Sequence, residues 1–82
     1  MRRSKLEMYI AILQACGNKT RITRMTYATN INAGYLKKLL VDLETKGYIE
    51  KISLKSQSLW VMTFKGRNAL RIFSDTFEDL LT

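Results

Sequence analysis

Histidine and proline are absent from this chain of 82 residues, cysteine and tryptophan occur once each, and glycine only four times. A Cys/His zinc centre therefore has no ligand set, and Cys16 has no intramolecular partner for a disulfide. Cys16 reads most simply as a small core residue, the residual alternative being a bond to a second copy of the chain. With no proline, no Gly/Ser-rich stretch and no internal repeat, nothing marks a linker, and residues 1–82 read as one domain. Long apolar runs are missing too. Arg, Lys or an acid interrupts every candidate for the roughly 20 apolar residues of a membrane span. Residues 1–5 are basic, but Glu7 and Gln14 follow at helical positions, unlike the apolar centre of a secretory signal, so an intracellular, cytoplasmic protein is expected.

Acids are scarce and unevenly placed. Residues 1–38 hold eight bases and one acid, Glu7, whereas residues 39–82 hold six of each, so the whole net charge of +7 sits in the first half. Such segregation favours a polyanionic partner. The acids that are present, Asp42 with Glu44 and Asp75 with Glu78 and Asp79, suit exposed helix positions. There is no phosphate-binding glycine loop, metal cluster or nucleophile paired with a base, so the sequence predicts no enzyme, no metal, no cofactor and no small-molecule ligand.

Residues 30–46 carry the most information. Asn32 can cap a helix with its side-chain oxygen, and Ile31 can staple to Leu36 across the cap. Leu36, Leu39, Leu40 and Leu43 recur at helical spacing as a core face, leaving Ala33, Gly34, Tyr35, Lys37, Lys38 and Val41 at the sides or outside. Upstream, Leu6, Tyr9, Ile10, Leu13 and Cys16 predict a helix capped by Ser4 and ending near Gly17-Asn18, with Met8 and Ile12 on a second apolar edge suited to another subunit. Ile22, Met25 and Ala28, with Tyr27 beside them, predict a short helix started by Thr20 or Thr23, and a turn at residues 29–31 joins it to the capped helix. Two helices so joined, the second basic outside, have the layout of a helix-turn-helix, which also occurs in plain bundles.

Gly47 suits a left-handed helix stop. Residues 48–54 and 59–63 then alternate as two strands joined by a polar turn, Lys55, Ser56, Gln57 and Ser58, with Trp60 and Met62 on one face. Trp60 reads as core, the alternative being a stacking platform for single strands. Thr63 can cap a last helix in which Leu70, Phe73, Phe77 and Leu80, with Ile72 and Leu81 alongside, give more apolar surface than so small a domain covers. The fold class expected is mainly α with a small β-hairpin (α+β), in the order α-α-α-β-β-α.

That order resembles the winged-helix DNA-binding domains. Residues 39–49, Leu-Leu-Val-Asp-Leu-Glu-Thr-Lys-Gly-Tyr-Ile, are similar to their passage from recognition helix to wing, and residues 60–66, Trp-Val-Met-Thr-Phe-Lys-Gly, to the segment that closes the wing. Together, in order and properly spaced, the two motifs are specific. Ser4-Lys5-Leu6-Glu7, Lys19-Thr20-Arg21-Ile22 and residues 27–32 more narrowly resemble the small basic winged-helix proteins of thermophilic archaea, some chromatin-associated and some of viruses or plasmids. The resemblance covers nearly the whole chain and implies a homodimer through the last helix. It divides the domain into a helix-turn-helix over 20–46, a wing over 48–63 and a C-terminal helix over 64–81.

The expected partner is double-stranded DNA, which would place the protein at the nucleoid. Tyr35, Lys37 and Lys38 would face the major groove, with Ala33 and Gly34 small enough for close approach. Asn32 is either a cap only or part of a phosphate site. Arg21 and Arg24 would contact phosphates, and Lys55, Ser56, Gln57 and Ser58 would touch the minor groove or its flanks. Arg2 and Arg3 are either a groove-following arm or a loose terminus. Met8, Ile12, Leu70, Phe73, Phe77, Leu80 and Leu81 are the expected dimer contacts. A sequence-specific transcription regulator is the first reading. A non-specific architectural protein, a protein-interaction module without DNA binding and an RNA-binding winged helix are the alternatives.

Overall fold

The computed structural model describes residues 4–81, with side chains as far as residue 76. Arg2 and Arg3, and the side chains of Phe77, Leu80 and Leu81, lie outside the described residues. Four helices and one hairpin follow in the expected order: α1 (Lys5–Ala15), α2 (Ile22–Thr29), α3 (Ala33–Thr45), β1 (Ile49–Leu54), β2 (Gln57–Met62) and α4 (Phe64–Leu81). None of the helices is long and apolar enough, over the described residues, to cross a membrane.

The caps that the sequence specifies are made. Ser4 Oγ accepts the Glu7 N–H at 3.0 Å, and Asn32 Oδ1 accepts the Gly34 N–H at 2.9 Å. Ile31 and Leu36 are both buried, as a staple across the second cap requires. At the end of α3, Gly47 takes φ +84°, which lets its N–H reach the Glu44 carbonyl and the Tyr48 N–H reach that of Leu43. This paired closure satisfies carbonyls that would otherwise end the helix without partners. The start of α2 differs from expectation: Arg21 holds the cap position without a side-chain bond, because Thr20 is committed elsewhere.

Thr20 pairs with β2. Its N–H donates to the Trp60 carbonyl at 3.0 Å and its carbonyl accepts the Trp60 N–H at 2.8 Å, while the Met62 N–H donates to the Cys16 carbonyl at 2.9 Å. The hairpin is thus tied along one edge to the α1–α2 connection. Its register sets Ile49 opposite Met62, Lys51 opposite Trp60 and Ser53 opposite Ser58. The tip is tighter than residues 55–58: Lys55 (φ +47°) and Ser56 (φ +68°) alone make it, and Gln57 and Ser58 belong to β2. Positive φ at both positions matches the right-handed twist of a hairpin, though neither residue is one that favours it.

Beneath these elements, Ile12, Leu13, Cys16, Met25, Leu36, Leu39, Leu40, Leu43, Ile49, Trp60 and Met62 form one buried cluster, to which Met8 and Leu70 add partial cover. Ile12 is 0% exposed, which corrects its assignment to a dimer contact: the side chain is spent on the chain's own core. Cys16 is likewise fully buried, its Sγ 3.7 Å from Met25 Sδ, as a core residue should be. In α2 the inward residues are Met25 and Thr29, whereas Ala28 is exposed. Thr29 tolerates burial because its hydroxyl donates to the Met25 carbonyl at 2.7 Å and accepts the Ile31 N–H at 3.3 Å.

Candidate nucleic-acid interface

Each residue of a helix advances about 100° around its axis, so the buried Leu36, Leu39, Leu40 and Leu43 fix what α3 shows to solvent. Opposite them lie Gly34, Lys38, Val41 and Thr45, all exposed, with Lys37 and Glu44 turned toward the hairpin. Lys37, Val41, Glu44, Lys51 and Ser58 line a groove between α3 and the hairpin, floored by Ile22, Leu40 and Trp60. Lys51 comes from β1, where its ammonium lies 5.8 Å from the Trp60 ring centroid.

The other flank of α3 is occupied differently. Asp42 accepts a hydrogen bond from the Tyr9 hydroxyl at 3.1 Å and lies 3.8 Å from Lys5 Nζ. The Tyr9 hydroxyl first, and then Asp42, raise the pKa of Lys5, with a small contribution from Tyr35. Tyr35 therefore sits on the flank facing the start of α1 and not beside Lys37. The acid on this flank is met by a cation from the same chain, whereas Glu44, on the other side of α3, shares the hairpin groove with Lys37 and Lys51.

A second groove runs between the start of α2 and β2, lined by Lys19, Arg21, Thr23, Arg24, Tyr27 and Gln57. It adjoins a polar hollow between α2 and the start of α3, where Thr23, Thr26, Tyr27, Asn30, Asn32 and Ala33 meet. Tyr27 is 86% exposed at the junction of the two. The structure thus brings Arg21 and Arg24 together with Gln57, and Lys37 with Ser58, while Lys55 and Ser56 stand apart at the tip. Lys19, Thr23, Tyr27 and Lys51 complete these grooves and are not among the DNA contacts that the sequence leads one to expect. The charge of Lys19 was visible, but its neighbourhood depends on the Thr20–Trp60 pairing.

Lys65 takes no part in this face. Its ammonium donates to the Lys46 carbonyl at 2.7 Å and lies 4.7 Å from the Tyr48 ring centroid, closing the C-terminal end of α3. Thr63 bridges the same corner: its hydroxyl donates to the Gly47 carbonyl at 2.6 Å and accepts the Gly66 N–H at 3.1 Å, capping α4 as expected.

Three helices, a hairpin laid against the third, and a closing helix are the winged-helix arrangement, and the sequence matches the winged helix-turn-helix family over residues 2–80. The chain belongs to that family. Among solved structures, this winged helix is similar to Sso10a-2, a DNA-binding protein from Sulfolobus solfataricus, at 28% identity, with 96% of this chain and 86% of that one covered and a TM-score of 0.79. AF1382 from Archaeoglobus fulgidus is similar at 16% identity, 94% and 87% coverage and a TM-score of 0.75. Diamide-treated YodB from B. subtilis is similar at 19% identity, 93% and 77% coverage and a TM-score of 0.76. At these two lower identities the likeness is one of fold. No curated protein matches the sequence.

Proposed function

We propose that this winged helix binds double-stranded DNA as a homodimeric, sequence-reading transcription regulator. The observation that carries the reading is the gathering of Lys19, Arg21 and Arg24 into the groove between α2 and β2, and of Lys37 and Lys51 into the groove between α3 and the hairpin. An α-helix fits the major groove, and the cations beside it on α2 and the hairpin suit phosphates. Sso10a-2, similar over nearly the whole chain, is described as a DNA-binding protein. In this reading Lys37 and Lys38 reach base edges or phosphates, Arg21 and Arg24 hold the backbone, and Lys55 with Ser56 follows the minor groove. The protein acts by binding, not catalysis, inside the cell at the nucleoid.

The dimer in this reading forms through α4. Leu6 and Ile72 are 54% and 58% exposed, and Leu6, Ile10, Ala69 and Phe73 line an apolar groove between α1 and α4. A second copy would remove that surface from water and set two α3 helices about 34 Å apart, on successive turns of one DNA face. Sedimentation at micromolar concentration tests the dimer, and a monomer there refutes it.

Fluorescence anisotropy on promoter and random duplexes across a salt series, with single-stranded DNA and RNA controls, tests the function. Promoter preference with a steep salt slope is the expected result. Equal affinity for all duplexes would make the protein architectural. No duplex binding at low salt would make it a protein-interaction module.

A further inference from the structure

Val41 stands out on the exposed face of α3. It is 59% exposed at mid-helix, one turn beyond Lys37 and three residues beyond Lys38, on the side opposite the buried leucines. Core packing does not explain it. Neither does helix formation, because a β-branched residue is a poorer helix former than Ala, Lys or Glu. Around it the outward surface is uneven: Gly34 has no side chain, Thr45 is short, the two lysines are long enough to swing aside, and Glu44, three residues on, lies toward the hairpin groove. A helix with that profile can lie deep in a groove, with the isopropyl group of Val41 among the closest atoms to the base edges.

An isopropyl group has no donor or acceptor, so what it recognises must be apolar. The apolar group that base pairs present in the major groove is the C5-methyl of thymine. We infer that Val41 is a specificity-determining residue that reads a thymine methyl, giving each half-site a required T·A pair beside the bases or phosphates held by Lys37 and Lys38. The inference rests on the proposed DNA reading by α3.

Duplexes are first selected from a random library with the full-length protein, and the enriched duplex is then resynthesised with each thymine replaced singly by uracil, which deletes only the methyl. The unaltered protein should bind about fourfold more weakly at one or more uracil positions per half-site, the loss expected for one buried methyl. In Val41→Ala that penalty should disappear at the same positions, and Val41→Thr, which keeps one methyl, should retain part of it. Alanine at an exposed helix position leaves the fold intact, which far-UV circular dichroism checks. Enrichment of a site whose uracil penalties are the same in the unaltered protein and in Val41→Ala would overturn the inference while leaving DNA reading in place. A selection that enriches no sequence would overturn both.

Discussion

The main-chain carbonyl of Tyr48 lies where a side chain on Gly66 would begin. A Cβ at Gly66 would collide with that oxygen, and the Met62 Cγ would be only 2.8 Å away. The first turn of α4 is therefore pressed directly onto the start of the hairpin, and the glycine of the Thr-Phe-Lys-Gly segment is required by contact. Gly66→Ala should destabilise the protein by about 3 kcal/mol, the upper end of what overpacking costs. Urea unfolding measures it, and a midpoint equal to that of the unaltered protein would show that α4 can slide away from Tyr48.

Asn32 is the cap of α3 and also borders the hollow between α2 and α3. Asn32→Ala should lose about 1 kcal/mol of stability with the cap bond. Asn32→Asp keeps an acceptor and adds a charge that a helix N-terminus favours, so thermal stability should hold or rise. If a DNA phosphate also sits at this end of α3, the aspartate variant should bind duplex more weakly than the alanine variant despite being more stable. Equal duplex affinities would reduce Asn32 to a cap.

What was legible in the sequence was what local physics decides. Asn32, Ile31 and Leu36 specify the start of α3 within six residues, and Gly47 its end, so neither depends on the rest of the chain. The hairpin faces were legible because any strand turns successive side chains to opposite sides, which sets Trp60 and Met62 on one face and Leu59 and Val61 on the other. The Thr20–Trp60 bridge joins residues far apart in sequence and leaves no periodic trace, so the groove holding Lys19, Arg21 and Gln57 was hidden with it. Ile12 looked surplus on α1 because the count of apolar positions cannot say how many neighbours a helix has; here α2, α3 and α4 all pack against α1. Tyr35 was read with the lysines because angle alone does not show that α1 occupies that flank.

Burial pushes the Cys16 thiol up to about 11, against 9.0 in an open chain. Between those values the folded protein keeps the proton and the unfolded chain releases it, so stability is fully present below pH 9 and falls as the pH approaches 11. A shift of that size corresponds to about 2–3 kcal/mol at the far end of the window. Lysines and tyrosines titrate nearby, so the measurement is the difference in unfolding free energy between the unaltered protein and Cys16→Ala from pH 8 to 11. That difference should shrink as the pH rises. A constant gap would mean that the thiol is not shielded.

Arg21 and Arg24 share their groove with Lys19 and Gln57, away from the outward stripe of α3 that would meet the bases. Their position suits phosphates, which carry no sequence information, and each such contact contributes about 0.9 to the slope of log affinity against log salt. Replacing both arginines by alanine should therefore flatten the slope by about 1.8 and weaken selected and random duplexes by the same factor. Lys38→Ala, on the outward stripe, should instead narrow the gap between selected and random duplexes. Were the double arginine variant to lose preference for the selected duplex while keeping its salt slope, the groove between α2 and β2 would be reading bases, and the division of labour proposed for the two faces would be reversed.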